Sequence, residues 1–286
     1  MYETELNQTF PGIEIISQET KEGGYSHVMT EVTAIYGEEP LIIIIRELPV
    51  PEKLNPFKRY NIQNEYRFLY ITSDYGRPRV PKTYDCHGNM FIMEKLPGLD
   101  FFIRECQGEE LIGRGYGEAM GLEVAYLHSL SIQPYDFLPF RGIDYRLEEV
   151  RELTDLEDPL QKEAWDKIST FNPKDQQIAV SSGDLSPSHF IETSQGIYIV
   201  DFDGVCLGDP SWDICWFYKG MKDMLFGDIE ENERFLEAYK SKYGPLKNFD
   251  FYWLLASLAS YSKLIRIKNE TDPENPLRFV LQFEDR

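Results

Sequence analysis

Three short segments that follow one another closely constrain the fold of this chain more than any other part of its sequence. They are residues 181–190 (SSGDLSPSHF), 197–203 (IYIVDFD) and 208–213 (GDPSWD). Between the first two, residues 193–196 (TSQG) separate two runs of β-forming side chains. A polar break that contains glycine between such runs is typical of a tight turn. The pattern therefore predicts a β-hairpin.

This hairpin brings chemically active side chains to one end of a sheet. If its strands pair antiparallel about Gln195, His189 and Asp201 lie opposite each other at the open end, and Asp184 lies on the loop before them. Two carboxylates and an imidazole in this arrangement can hold a divalent cation and orient a hydroxyl group, the two needs of phosphoryl transfer. A serine-hydrolase site is not indicated, because the chain around Ser182 lacks the G-x-S-x-G pattern, and no Walker A motif is present.

The same residues resemble the aminoglycoside phosphotransferase/choline kinase family. The family's catalytic loop reads H-G-D-L-x-x-x-N, and a second metal-binding Asp follows one hairpin later. Here residues 183–185 (GDL), Asp201 and residues 208–213 match that order and spacing. Two positions depart from it: Ser182 replaces the His, and His189 replaces the metal-binding Asn. A His at the second position is similar to the aminoglycoside 2″-phosphotransferases and the macrolide phosphotransferases.

The resemblance implies an α+β chain with a bilobal protein-kinase-like fold. The expected N-terminal nucleotide-binding lobe, residues 1–95, is β-rich. The expected C-terminal catalytic and substrate-binding lobe, residues 96–286, is mainly helical. A hinge is expected at residues 94–98 (EKLPG), because Pro and Gly end the preceding strand there.

Local patterns agree with this division. Five strands are predicted at residues 13–16, 28–36, 41–45, 79–84 and 90–93, with a helix at 61–72. The run at 41–45 (LIIII) is apolar on both faces and is predicted to be a central strand buried on both sides. Later helices are predicted at 118–130, within 144–169, after Asp209 and Pro210, and at 230–243 and 251–268.

A glycine pair in the N-terminal lobe is a candidate for covering the nucleotide phosphates. Gly23 and Gly24 lie between two predicted strands, where the absence of side chains would let the backbone N–H groups approach the phosphates. An ordinary hairpin turn is the alternative for this pair.

Four further residues receive nucleotide-binding roles from the resemblance. Arg46 stands at the end of the strand where the family carries a Lys that holds the α- and β-phosphates. Glu65, on the following helix, is expected to pair with that cation. The backbone of Glu94 and Leu96 is expected to bond the edge of the base. The alternatives are an Arg that reaches solvent and an exposed helix acid.

Phosphoryl-transfer roles fall on the hairpin. Asp184 is expected to accept a hydrogen bond from the acceptor hydroxyl and to orient it for attack on the γ-phosphate. Asp201 is the principal expected ligand of Mg²⁺, with Asp203 a weaker candidate. His189 is expected to be the other metal ligand, directly or through water, and would admit Mn²⁺ more readily than Asn would. A structural role remains the alternative for His189. The phosphate donor is ATP or GTP.

Charge and composition limit the classes of molecule that this chain is expected to bind. The net charge of −20 disfavours nucleic acid and anionic membranes and suits cationic small molecules, although solubility alone would also explain it. The longest aliphatic run is too short to span a bilayer, and the N-terminus lacks the apolar core of a signal peptide. The four cysteines show no paired or zinc-binding spacing, which favours free thiols in the cytoplasm.

The sequence thus predicts a cytoplasmic small-molecule O-kinase acting on a cationic, aminoglycoside-like acceptor. The resemblance implies that the acid-rich stretch 144–166 forms part of the acceptor cleft. Lys263, Arg266 and Lys268 oppose this preference. They lie on the last predicted helix, which has no carboxylate after Asp250, whereas the family often places acceptor-binding acids there. Macrolide, amino-sugar and choline-like acceptors therefore remain alternatives. A nucleotide-binding pseudokinase that serves as an interaction module is the alternative from another class.

Overall fold

A five-stranded antiparallel sheet forms the N-terminal part of the protein. The computed structural model describes residues 2–21, 28–48, 61–106, 114–173, 175–223 and 229–271. The strands are β1 (Glu14–Lys21), β2 (Val28–Tyr36), β3 (Glu39–Glu47), β4 (Thr83–His87) and β5 (Met90–Glu94), in the order β1-β2-β3-β5-β4. All five predicted strands are present, with β3 inside the sheet.

Strand β4 begins later than predicted. The backbone N–H of Arg79 donates to the buried carboxylate of Glu123 at 2.9 Å instead of joining the sheet. Pro78 and Pro81 have no N–H to offer a neighbouring strand. The ladder therefore starts only at Thr83.

Only one face of β3 is fully buried, which corrects the prediction of burial on both faces. Helix α1 (Glu3–Thr9), which was not predicted, covers the face that carries Ile43 and Ile45. On the other face, Ile42 is 44% exposed. Because side chains alternate along a strand, Ile42 shares that open face with Arg46. The open face is therefore the side of the sheet that turns toward the candidate site.

Helix α2 (Ile62–Thr72) crosses this open face and carries Glu65. Its first turn is stabilised by Asn61, whose side chain accepts hydrogen bonds from the N–H groups of Gln63 and Asn64. Glu65 and Phe68 are buried on the inner side of the helix. The predicted helix is thus present with nearly the predicted bounds.

The C-terminal part is mainly helical. Its helices are α3 (Phe101–Cys106), α4 (Tyr116–His128), α5 (Ile143–Leu153), α6 (Pro159–Thr170), α7 (Pro210–Asp223), α8 (Ile229–Tyr243) and α9 (Phe249–Thr271). Short strands β6 (Phe140–Arg141), β7 (Ala179–Ser181) and β10 (Cys206–Gly208) form a second sheet, and β8 (Phe190–Thr193) pairs with β9 (Gly196–Ile199) as a hairpin. The acid-rich stretch therefore forms two helices, α5 and α6.

The segment after β5 passes directly over the β8–β9 hairpin. A Cβ atom at Gly98 would lie 2.3 Å from the carbonyl oxygen of Glu192, so only glycine fits there. Asp100 forms an isolated bridge with Ile191. The boundary between the two lobes, placed at residues 95 and 96 from the sequence, remains a prediction.

Two further sequence expectations concern cysteines and membranes. Cys86, Cys206 and Cys215 are free thiols. Within the described ranges, none of the helices combines the length and the apolar character that crossing a bilayer requires.

Candidate active site

The loop that carries Asp184 is held by a buried carboxylate of α7. Asp213 Oδ2 accepts the N–H of Ser182 at 2.7 Å, and Oδ1 accepts that of Gly183 at 2.9 Å. His128 Nε2 lies 3.2 Å from Oδ2. Burial raises the pKa of Asp213, but the hydrogen bond and charge of His128 outweigh it and hold the pKa below its ordinary value. Asp213 is therefore an ionised anchor for this loop.

Helix α7 is itself fixed at its first residues. The side chain of Asp209 accepts the N–H of Ser211 at 2.9 Å, as an N-cap does, and Pro210 begins the helix. Asn248 donates to the second oxygen of Asp209 at 3.0 Å. This cap places Asp213 in the first turn of α7, directly beneath the loop.

A glycine contact brings the Asp184 loop to the segment after β9. Gly183 has a φ of 83°, and a Cβ atom there would lie 2.2 Å from the carbonyl oxygen of Gly204. Only glycine accepts both the left-handed conformation and this approach. The loop that carries Asp184 therefore packs against the turn that follows Asp201 and Asp203.

The hairpin register differs by one residue from the predicted one. Thr193 pairs with Gly196, so the turn is the two-residue loop Ser194-Gln195, and the carbonyl of His189 accepts the N–H of Val200 at 2.8 Å. His189 thus lies opposite Val200 and not opposite Asp201. The side chains still meet, with His189 Nε2 3.6 Å from Asp201 Oδ2.

A buried guanidinium joins the N-terminal sheet to this hairpin. Arg46, which is 5% exposed, lies 2.5 Å from Asp201 Oδ1 and 3.2 Å from Glu65 Oε1. Glu65 Oε1 also accepts the N–H of Phe202 at 3.1 Å. One cation therefore bridges the helix acid and the candidate metal ligand.

The pKa values of this cluster follow from burial and from crowded carboxylates. Burial raises the pKa of Glu65 to about 8; Arg46 opposes this shift, whereas Asp201 and Asp203 add to it. Burial lowers the pKa of Arg46, but Asp201 and Glu65 outweigh it, so the pKa rises above its ordinary value. Arg46 is therefore a permanent cation at the centre of the site.

His189 and Asp201 fit a divalent cation as two of its ligands. Within the described part of the chain, no group of three His, Cys, Asp or Glu side chains converges as a complete cage. Mg²⁺ in kinase sites needs only one or two protein oxygens, because phosphates and water supply the rest. His189 Nδ1 is buried without a hydrogen-bond partner among the described residues. A ligand imidazole usually donates this second N–H, so His189 is the weaker of the two.

Of the remaining residues predicted to bind nucleotide, the structure describes Glu94 and Leu96 but not the glycine pair. Gly23 and Gly24 lie outside the described residues. Glu94 ends β5, and its Oε1 accepts the N–H of Lys82 at 2.7 Å, while Leu96 is buried just beyond. On the open face, Lys95 pairs with Glu31 at 2.6 Å. The base-binding roles of Glu94 and Leu96 remain predictions.

Sequence reasoning missed one residue that the structure brings to the loop. Arg146 of α5 is buried, and its Nη2 donates to the carbonyl of Gly183 at 3.4 Å. The available signal was an Arg within an acid-rich amphipathic helix, which reads equally well as a surface cation. Only the fold reveals that it points inward.

A model of the phosphotransferase enzyme family matches residues 54–255. No protein of curated function matches the chain in sequence.

Solved structures of low sequence identity share the fold. A macrolide 2′-phosphotransferase from Brachybacterium faecium superposes with a TM-score of 0.68 at 17% identity, over 93% of each chain. An ethanolamine kinase from Plasmodium vivax gives 0.62 at 13%, over 92% of this chain and 78% of the other. An aminoglycoside phosphotransferase from Streptomyces rimosus gives 0.54 at 15%, over 90% and 96%.

These likenesses confirm the predicted α+β, protein-kinase-like fold, with a β-sheet N-terminal region and a helical C-terminal part. The family match covers more than half of the chain and includes every element of the candidate site from α2 to α7. The chain belongs to the phosphotransferase enzyme family.

Proposed function

We propose that this protein is a small-molecule O-kinase that transfers the γ-phosphoryl group of ATP or GTP to a hydroxyl group of a cationic acceptor. The observation that carries the proposal is the bridge from Arg46 to Asp201, with His189 beside it and the Asp184 loop packed on the following turn. A cation for phosphates, a metal-binding carboxylate and a base are the parts that phosphoryl transfer requires.

Each residue has a defined task in this reaction. Asp184 accepts a hydrogen bond from the acceptor hydroxyl, aligns its oxygen with the γ-phosphate and receives the proton. Asp201 Oδ2 and His189 Nε2 would hold a Mg²⁺ or Mn²⁺ ion, which supplies positive charge to the phosphates when bound. Arg46 contributes a second positive charge, and Glu65 keeps it in place.

The acceptor we propose is an aminoglycoside-like polycation, attracted by the net charge of −20. The structure also supports a second candidate. Several acids of the α5–α6 region are already paired, as Glu149 is with Arg146 and Asp166 with Lys162. Lys263 lies 4.4 Å above the ring of Trp216. This positive charge repels a polycation more strongly than a single amine, and the aromatic surface suits a large apolar face. Both features favour an acceptor such as a macrolide.

The direct test is a nucleoside diphosphate release assay with Mg²⁺ or Mn²⁺. ATP and GTP are each combined with aminoglycoside, macrolide, choline-like and amino-sugar acceptors. We expect release that depends on an acceptor. Release with none of these classes, from a protein that binds nucleotide, would count against the kinase and favour a binding module.

Substitution of the two aspartates should separate their roles. Asp184→Ala is expected to abolish transfer and to leave nucleotide affinity nearly unchanged, because Asp184 serves the acceptor. Asp201→Ala should also lose metal-dependent nucleotide binding. Transfer rates and fluorescent-nucleotide titrations measure both. Wild-type kcat in Asp184→Ala would show that the assignment is wrong.

A further inference from the structure

The backbone of Gly183, the residue before Asp184, is held by three hydrogen bonds with side chains. Its carbonyl accepts Trp212 Nε1 at 3.1 Å and Arg146 Nη2 at 3.4 Å. The preceding N–H, that of Gly183, donates to Asp213 at 2.9 Å. Because a peptide group is planar, fixing this carbonyl fixes the plane from which Asp184 projects. Two of the three contacts come from α7, and the third comes from α5.

Arg146 is buried at this position and is held there by its own contacts. The residue is 2% exposed and lies over the ring of Trp212, with 4.4 Å from Cζ to the ring centroid. Its Nη1 donates to Glu149 Oε2 at 2.7 Å. Burying a guanidinium is costly unless it is paired and hydrogen-bonded, and Glu149 and the Gly183 carbonyl provide both. A side chain that served only packing would not need this charge.

Arg146 comes from a different helix than the other two side chains that hold Gly183. Helix α5 belongs to the acid-rich region assigned above to the acceptor, whereas Asp213 and Trp212 belong to the helix that follows the hairpin. Glu149, which tethers Arg146, is 29% exposed at its side chain. One buried guanidinium therefore connects a partly exposed carboxylate of α5 to the peptide that carries the catalytic aspartate.

We infer that Arg146 is a positioning residue for Asp184, and that α5 sets the orientation of the catalytic aspartate through it. This inference rests on the proposed function, because it assigns Asp184 the task of orienting the acceptor hydroxyl. In this role Arg146 contacts the Gly183 carbonyl and would not contact the nucleotide or the reacting atoms. Its loss should therefore act on the rate of transfer and spare nucleotide affinity.

The kinetic test compares Arg146→Lys and Arg146→Met with Trp212→Phe, which removes the other donor and keeps a ring. With an acceptor that the wild type turns over, Arg146→Met should lower kcat about 100-fold, the effect of a displacement near 1 Å, with an unchanged KM for nucleotide. Arg146→Lys should recover part of this loss because it keeps the charge. Arg151→Met, an exposed arginine of the same helix, is the matched control and should behave as the wild type.

A second measurement needs no acceptor. Hydrogen–deuterium exchange of the peptide that spans 182–189 should speed up at least about threefold in Arg146→Met and Trp212→Phe, because the loop opens more often. Thermal unfolding and fluorescent-ATP binding establish that each variant is folded. If the wild type turned over no acceptor, the proposed function would fail while the exchange result still tested the positioning role.

Two outcomes would overturn the inference. One is exchange and kcat within twofold of the wild type in Arg146→Met. The other is a loss of nucleotide affinity as large as the loss of kcat, which would make Arg146 a general structural residue. If Arg146→Met does not fold, the same criteria apply to Arg146→Lys and Trp212→Phe.

Discussion

Asp201 has a backbone φ of 63°, a left-handed value that Asp tolerates better than most residues. It follows directly after the last paired residues of the hairpin, where Val200 still bonds the carbonyl of His189. In this backbone conformation the two carboxylate oxygens of Asp201 face different partners. Oδ1 lies toward Arg46 and Oδ2 lies toward His189. A metal ion would therefore meet Asp201 through Oδ2, on the side of the imidazole.

His189→Asn should preserve transfer and change the preferred metal. Asn offers an oxygen, which Mg²⁺ prefers, whereas imidazole suits Mn²⁺ better. We expect the ratio of Mg²⁺-supported to Mn²⁺-supported kcat to rise by about threefold or more. His87→Asn, a change of the same kind in the N-terminal sheet, serves as the control. Equal ratios in variant and wild type would remove His189 from the metal site.

At the residue scale, the sequence predicts the presence of the hairpin but not its register. The composition of residues 193–196 predicts a turn, but it does not determine which peptide lies at the centre. A shift of one residue moves His189 from opposite Asp201 to opposite Val200. The contact survives because of the left-handed Asp201, a conformation that a single sequence does not reveal.

At the scale of elements, α4 and α8 approach each other through glycines. A Cβ atom at Gly121 would lie 2.3 Å from the carbonyl oxygen of Phe235, and one at Gly117 would lie 2.0 Å from that of Glu231. The carboxylate of Glu231 accepts the N–H groups of Gly115 and Gly117 at the start of α4. The packing also sets Tyr239 against His128, with 2.8 Å between the hydroxyl and Nδ1. The packing of α4 against α8 therefore holds His128, whose Nε2 lies beside Asp213.

Gly121→Ala should destabilise the protein, although alanine normally stabilises a helix interior by about 0.5–1 kcal/mol. The added methyl group meets backbone, which cannot rotate away, and overpacking typically costs about 1–3 kcal/mol. Urea unfolding gives the free energy of unfolding. Glu118→Ala, on the exposed side of α4, is the control and should stay within about 0.5 kcal/mol of the wild type. A gain in stability for Gly121→Ala would contradict the close approach.

Most elements were predictable because their patterns are strong. The helices at α2, α4, α8 and α9 carry continuous apolar stripes or buried faces. Helix α1 was missed, although Leu6 and Phe10 follow Tyr2 at intervals of four residues, because a pattern of only about two turns is short. The exposure of Ile42 could not be predicted, since the β3 sequence is apolar on both faces and only the packing decides which face is covered.

At the scale of the whole molecule, the net charge of −20 should raise the rate at which cationic acceptors reach the protein. For a kanamycin-like polycation, kcat/KM is expected to fall roughly tenfold between about 0.01 M and 1 M ionic strength, because salt screens the attraction. An erythromycin-like acceptor with one amine should respond much less and is the internal control. Turnover of the macrolide alone, or of neither, would contradict the aminoglycoside assignment.

The contact between Arg46 and Asp201 joins residues 155 positions apart in the chain. During synthesis, the N-terminal sheet therefore leaves the ribosome long before its partner, since domains emerge N-terminal end first at about 5–20 residues per second. Over that interval of seconds, Arg46 and Glu65 have no Asp201 to complete the cluster. The nascent protein thus completes the cluster of Arg46, Glu65 and Asp201 in a single late step, and a shortened product that ends before the hairpin cannot form it.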